Sequence, residues 1–384
     1  MLRRVFDLIL LGGLLLVFSS RPFVSPAMAQ TSAAHGRPSQ LSQPSHVFII
    51  VLENKNFEDT FGQDSAAPYL AHDLTKQGEL LTHYYGIGHF SLDNYIAMVS
   101  GIAPNPDTQG DCLTYTEFVS SSPNLDRQGQ VTGRGCVHPS IVKTLPEQLE
   151  AKGLSWGGYM EDMTKPCQHP TIGQPDDHIH ARAGDQYATR HNPFVYFHSL
   201  VDSGSCDKHN RPLKHLDTDL KSIATTPNFV FITPNLCNDG HDGPSAICDG
   251  GGLKSSDRFL REWVPKILAS PAYQKDGMII ITFDEAQIGK RNKKIDPAST
   301  DAAACCNEPT GPNTSMPGLT GPGGGRIGAL ILSRYVRAGS INDTPYNHYS
   351  LLRSLEDLWY LDYLGYAGQP GLKPFGKDVY NARY

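Results

Sequence analysis

Five continuous apolar runs punctuate the chain: His46–Leu52, Ser155–Met160, Asn228–Thr233, Met278–Phe283 and Ile327–Ser333. They are short, rich in Ile, Val and Phe, and uninterrupted rather than alternating, which is the pattern of strands buried on both faces. Between them, apolar residues recur at helical spacing over Tyr69–Gln77, Asn94–Ser100, Leu145–Lys152, Lys254–Leu268 and Tyr349–Leu361. Buried strands alternating with helices predict an α/β fold, a mostly parallel central sheet with helices on both faces. Two stretches break the rhythm. Residues 102–140 are rich in Pro, Gly and Ser and carry two cysteines; residues 286–326 end in Gly321-Pro322-Gly323-Gly324-Gly325. Loops of this length are usually functional. In a parallel sheet they would lie over the carboxyl ends of the strands, where ligands bind.

The first residues follow a different logic. Arg3 and Arg4 precede an apolar core, Leu8 to Phe18, and Pro26-Ala27-Met28-Ala29 supplies small residues for cleavage after Ala29. This is the pattern of a secretory signal peptide, so residues 1–29 are expected to be removed. Residues 30–45 are expected to be a flexible lead-in, and 46–384 a single domain. No later run approaches the ~20 apolar residues of a membrane span, so stable membrane insertion is not expected. Removal of the leader takes three arginines and Asp7, leaving 30 basic against 38 acidic residues. An acidic chain without a basic stripe does not hold nucleic acid by bulk charge. All eight cysteines follow the cleavage site, and an even count in an exported chain predicts disulfides. Cys112 with Cys136 and Cys237 with Cys248 are local pairs, while the adjacent Cys305 and Cys306 are expected to go to separate partners. There is no Cys-x-x-Cys, which argues against a zinc–thiolate site.

Three predicted strands end in polar groups. The first runs into Glu53-Asn54, the third into Asn235 and then Asn238-Asp239-Gly240-His241-Asp242, and the fourth into Asp284-Glu285. Facing one cleft, these oxygen donors suit a hard or borderline divalent cation. A helix beginning near Ser91 would add its N-terminal N–H groups and positive dipole end, favourable to an anion. A serine there is commonly a cap, but beside a metal its hydroxyl becomes a nucleophile. His178 and His180, flanked by Asp176, Asp177 and Arg182, read as a polar loop rather than as ligands.

Glu53-Asn54-Lys55-Asn56-Phe57-Glu58-Asp59-Thr60-Phe61-Gly62 resembles the opening signature of the bacterial and fungal phosphoesterase family. That family holds phospholipases C and secreted acid phosphatases and lies within the alkaline-phosphatase superfamily. Similar segments follow in order: His89 through Tyr95, His191-Asn192-Pro193-Phe194, Asn235 through Asp242, Phe283-Asp284-Glu285, and His348 through Arg353. The resemblance implies an alkaline-phosphatase-like fold and one divalent metal of unidentified kind. Glu53, Asn54, Ser91, Asp284 and Glu285 would be its ligands and Ser91 the nucleophile. Asn94 and Asn235 would bind substrate, and His191, His241 and His348 would line the site, one of them protonating the leaving group. Two departures stand out. Asp93 replaces a common Pro, and Asp284-Glu285 replaces the Asp-His of two-metal relatives, which favours one metal. A sulfatase-type Cys-x-Pro-x-Arg is absent.

The function these features imply is a secreted, metal-dependent phosphatase that acts on phosphomonoesters through a phosphoserine, phosphoinositides among the candidate substrates. The alternative is a phospholipase C-type phosphodiesterase, disfavoured by the short chain. An inactive binding protein is disfavoured because Ser91, Asn54 and Asp284 are all present.

Overall fold

The computed structural model describes residues 43–382 except Asp177. The expected leader and nearly all of the expected lead-in therefore lie outside the described residues. Eight strands form the central sheet: β1 (His46–Leu52), β2 (Glu79–Leu81), β3 (Trp156–Met160), β4 (Asn210–Pro212), β5 (Phe229–Thr233), β6 (Gly277–Phe283), β7 (Ala329–Ser333) and β8 (Ser340–Asn342). Their spatial order is β8-β2-β7-β6-β1-β5-β3-β4. Only β7 runs against its neighbours β6 and β2; the other pairings are parallel. The five predicted strands are β1, β3, β5, β6 and β7, and every residue in them is buried, so both sheet faces are covered. The three strands that patterning did not predict have three residues each and lie at or next to the sheet edges. So short a run shows no periodicity.

Among the described residues, four helices have seven residues or more: α1 (Ser91–Ser100), α2 (Leu145–Ala151), α3 (Gly252–Leu268) and α4 (His348–Trp359). Thr144 and Glu147 form a reciprocal capping box on α2, which satisfies two free donors at once. The Asn347 side chain caps α4 by accepting from the Ser350 N–H at 3.0 Å. Helix α1 is buried at all ten positions and packs against α4. The helix expected over Tyr69–Gln77 is instead a π-helix, Tyr69–Leu74, whose first N–H groups are taken by Asp257 of α3.

Four disulfides are present. Cys112–Cys136 staples the 102–140 excursion and Cys237–Cys248 closes the loop after β5, as expected, and Cys167–Cys206 adds a third pair. The expectation for the last two cysteines is overturned: Cys305 and Cys306 bond to each other. The other six thiols are consumed in their own pairs, leaving no separate partner among the described residues. The main chain around the adjacent pair is held locally, with the Cys305 carbonyl accepting from Glu308 N–H and the Cys306 carbonyl from Gln369 Nε2, both at 3.1 Å. No helix among the described residues is long and apolar enough to cross a membrane.

Candidate active site

Sheet register brings the polar strand ends together. Leu52 of β1 is level with Phe283 of β6, and Ile50 with Ile232 of β5, so the residues that follow emerge side by side at one edge. Main-chain bonds fasten them there. Glu53 N–H donates to the Asp239 carbonyl at 2.8 Å and Asp284 N–H to the Leu52 carbonyl at 2.9 Å. Asn54, in a left-handed conformation at φ 55°, donates its N–H to Asp284 Oδ1 at 2.9 Å.

Glu53 is completely buried. Its Oε2 accepts from Ser91 Oγ at 2.8 Å and from Asn54 Nδ2 at 2.7 Å, and its Oε1 accepts from the Tyr95 hydroxyl at 2.6 Å. Ser91 opens α1 just after Phe90, whose φ of 74° and ψ of 145° lie in a region nearly reserved for glycine. Such strain persists only where surrounding contacts enforce it. Asn94 is one enforcer: its Oδ1 accepts from the N–H groups of Ile87 and Gly88, and its Nδ2 donates to the carbonyls of Gly88 and Phe90. Its amide is thereby engaged with main chain, so in place of the expected contact with substrate the structure shows it shaping the turn before Ser91.

Glu285 is the other enforcer. It accepts from the Phe90 N–H and bonds His89 Nδ1, whose Nε2 meets the Asp301 carbonyl at 2.9 Å. Its carboxylate faces the pocket beneath the turn rather than Glu53, in contrast to the ligand position expected for it. Asp93 lies in that same pocket, buried, with Oδ2 unpartnered. Burial, then the Glu285 charge, pushes its carboxyl well up.

The anion-binding start of α1 is also already used. Asp111, delivered by the stapled 102–140 loop, accepts from Leu92 N–H at 3.1 Å and from the Ser91 N–H. Arg190 backs it at 3.6 Å while donating to the carbonyls of His178 and Ile179. A protein carboxylate thus occupies the donors expected to hold phosphate.

The histidines separate into distinct kinds. His191 is buried, stacked on Tyr95 with centroids 5.4 Å apart, and lies 3.4 Å from both Glu53 Oε1 and Asp239 Oδ2 without hydrogen-bond geometry. Burial, then Arg190 and His241, holds its pKa well below the usual value. His348 is equally buried but fully partnered. Its Nε2 donates to the Asp284 carbonyl at 2.6 Å, which leaves Nδ1 to accept from the Tyr84 hydroxyl at 3.1 Å. Burial lowers its pKa to about 4, so it stays neutral and braces Asp284; it is no proton donor to a leaving group. His241 is only partly covered, and its Nδ1 is fixed by Asp242 at 2.8 Å. Asn235 is not drawn in at all. Its Oδ1 caps the turn by accepting from Cys237 and Asn238, and its Nδ2 donates to Asp162 Oδ2.

His180 lies in an exposed polar loop, as its sequence suggests, and its Nδ1 meets Asp242 Oδ1 at 2.7 Å. With His241 it completes a trio whose ligand-type atoms lie within 4.8 Å of one another.

Sequence reasoning set Asp239 among the polar strand ends without giving it a role of its own, and gave Tyr95 none. Asp239 is completely buried, with Oδ1 on the His241 N–H at 2.7 Å and Oδ2 free. The signal that marks it is spacing, since it stands two residues before the histidine in a Gly-rich turn. Tyr95 reads as an ordinary core aromatic, one turn after Ser91.

Burial raises the carboxyl pKa values of Glu53, Asp239 and Asp284, and for Glu53 the nearby Asp284 and Asp239 add to it. Asp284 Oδ2, Asp239 Oδ2 and both ring nitrogens of His191 are buried without hydrogen-bond partners. Buried polar atoms are normally satisfied, and crowded carboxylates repel. A divalent cation relieves both defects, and a donor set of carboxylate, amide and hydroxyl oxygens suits one.

The fold resembles that of a protein in the alkaline phosphatase superfamily from Vibrio parahaemolyticus. The match has a TM-score of 0.50 at 14% identity and covers 88% of this chain and 72% of the other. Sequence comparison is more specific. The model of the Phosphoesterase family matches residues 64–362, and the chain belongs to that family. It is 28% identical to the phosphate-repressible acid phosphatase of Penicillium chrysogenum over 89% of this chain and 67% of that protein. It is 23% identical to the phosphatidylinositol-3-phosphatase of Mycobacterium tuberculosis over 86% of this chain and 81% of that protein. It spans between 55% and 70% of the lengths of the fungal acid phosphatases it matches.

Proposed function

We propose that this chain is a metal-dependent phosphatase that hydrolyses phosphomonoesters through a phosphoserine on Ser91. The observation that carries the reading is the set of buried, unpartnered oxygens of Asp239 and Asp284 beside a serine presented on a strained helix start. The names of the similar phosphatases support it. Glu53, Asn54, Ser91 and Asp284 would hold one divalent cation, with Asp239 beside them. Bound there, it would lower the cost of ionising a hydroxyl and polarise a phosphoryl oxygen.

The chain's own residues do the rest. Glu53 Oε2 orients the Ser91 hydroxyl at 2.8 Å. Ser91 Oγ passes its proton to Glu53 Oε2, the oxygen it already donates to, and attacks phosphorus as the alcohol oxygen departs. With Nδ1 fixed on Asp242, the partly exposed His241 has Nε2 free to protonate that oxygen, and then to accept a proton from the water that cleaves the phosphoserine. His348 fixes the main chain of Asp284, and His191 lines the site in neutral form. Phosphoinositide monoesters fall within the proposed substrate range, given the likeness to a phosphatidylinositol-3-phosphatase. Four disulfides fit export to an oxidising compartment.

The test compares the protein with a Ser91→Ala variant on p-nitrophenyl phosphate and p-nitrophenyl phosphorylcholine, with and without chelator. Acid quenching with a ³²P-labelled monoester follows. Chelator-sensitive monoester turnover, with label trapped on Ser91, is expected. Preference for the choline diester would instead indicate a phospholipase C. Unchanged activity in Ser91→Ala would remove the serine from the mechanism.

A further inference from the structure

We propose that His180, His241 and Asp242 form a second metal site, suited to zinc or copper, at the rim of the strand-end cluster. Their ligand-type atoms lie within 4.8 Å of one another. Both imidazoles converge on a single atom: Asp242 Oδ1 is 2.7 Å from His180 Nδ1 and 2.8 Å from His241 Nδ1. The other carboxylate oxygen is pinned by the Ala181 N–H at 2.6 Å. The carboxylate therefore keeps its shared oxygen turned toward the two rings.

The segment that carries His241 and Asp242 is tied down at three points. Cys237–Cys248 closes it, the His241 N–H is held by Asp239 Oδ1, and the Asp242 carbonyl accepts from Gly252 N–H. His180 is exposed, so an ion reaches the trio from solvent. Two imidazoles and one carboxylate are a donor set chosen by zinc and by copper(II), with a further position left for water. This differs from the oxygen-dominated cluster at Glu53 and Asp284.

Binding requires the lone pair at each Nδ1. The proton on each Nδ1 is displaced: in a neutral ring it moves to Nε2, and in a ring whose Nε2 is already protonated it is released to solvent. The consequence for catalysis rests on the proposed role of His241. With Nδ1 committed to a metal, Nε2 keeps its proton and cannot accept one from the hydrolytic water. The site is accordingly inhibitory, and His180 is the residue that creates it without belonging to the reaction.

Binding is tested in full-length Asp284→Asn protein, in which the strand-end cluster is disabled, after a thermal melt confirms folding. Titration with zinc is expected to give one micromolar equivalent. Copper(II) should show two imidazole nitrogens by electron paramagnetic resonance. Adding His180→Ala should weaken binding by roughly tenfold or more and leave one nitrogen. No binding in Asp284→Asn, or an affinity that His180→Ala leaves unchanged, would overturn the site and make the trio a hydrogen-bonded brace only. These readings hold whether or not the chain is a phosphatase. In the otherwise unaltered enzyme, His180→Ala should retain basal turnover of p-nitrophenyl phosphate and lose micromolar zinc inhibition. Inhibition that persists in that variant would overturn the regulatory role.

Discussion

Two acidic pockets flank the turn that presents Ser91, and they are finished differently. Beneath it, Glu285 is paired with His89 and the Phe90 N–H, and His89 with the Asp301 carbonyl, while Asp93 Oδ2 there is unpartnered. On the other side, Asp239, Asp284 and His191 leave oxygens and nitrogens unsatisfied. The paired pocket holds the strained backbone in place. The unpaired one stores unfavourable electrostatics that a bound cation would discharge. Residues of one short motif, Asp284 and Glu285, divide between them.

The sharpest way to break this contrast is at the serine. Ser91→Ala should lower kcat on p-nitrophenyl phosphate by roughly 10³-fold or more with an unchanged melting temperature. Next, Asp239→Asn should lower kcat by on the order of 10²-fold while keeping or raising the melting temperature in chelated protein, because it removes a buried charge whose Oδ2 lacks a partner. A drop in stability there would mean that the unpaired pocket is structural after all. Glu285→Ala should do the converse. It leaves His89 and the Phe90 N–H without their acceptor and costs about 1–3 kcal/mol in a denaturant melt, with activity falling because the turn relaxes.

The smallest effect is a pH slope. Burial raises the Glu161 carboxyl to about 7, so the folded chain binds that proton more tightly than the unfolded chain does. Its stabilising contribution is complete in acid and declines as pH rises through 7. Glu161→Gln should flatten the decline of melting temperature between pH 5 and pH 8 by a few degrees.

Much of this was legible from residue order. Runs such as Val47–Leu52 and Met278–Phe283 announce doubly covered strands because no charged residue and only Thr282 among polar ones interrupts them, and Glu53 and Asp284 stand at their ends. The cysteine pairs at 112–136 and 237–248 follow from proximity. What was illegible depends on orientation. Asn94 and Asn235 carry the right groups, but those groups turn to local main chain. Glu285 is adjacent to Asp284, yet consecutive side chains diverge, and His89 receives it. Asp239 stands among the polar strand ends, but its individual role is masked by composition, since an aspartate beside Asn and Gly reads as a turn former. Asp111 comes from a loop with no periodicity, and only the folded chain shows it on the helix start.

The strand-end cluster gathers Glu53, Ser91, His191, Asp239 and Asp284, with His348 bracing the last of them. β1, which supplies the first, pairs only with strands made much later, β5 and β6. These are long-range contacts, formed slowly because the intervening chain must first be closed into loops. During synthesis, therefore, Ser91, the nucleophile proposed above, emerges early, before its partners at the strand ends exist. On that proposal, competence would arrive only once the segment bearing His348 has docked. Recovery of turnover on refolding should accordingly track the slowest phase of sheet assembly, with no active fragment preceding it.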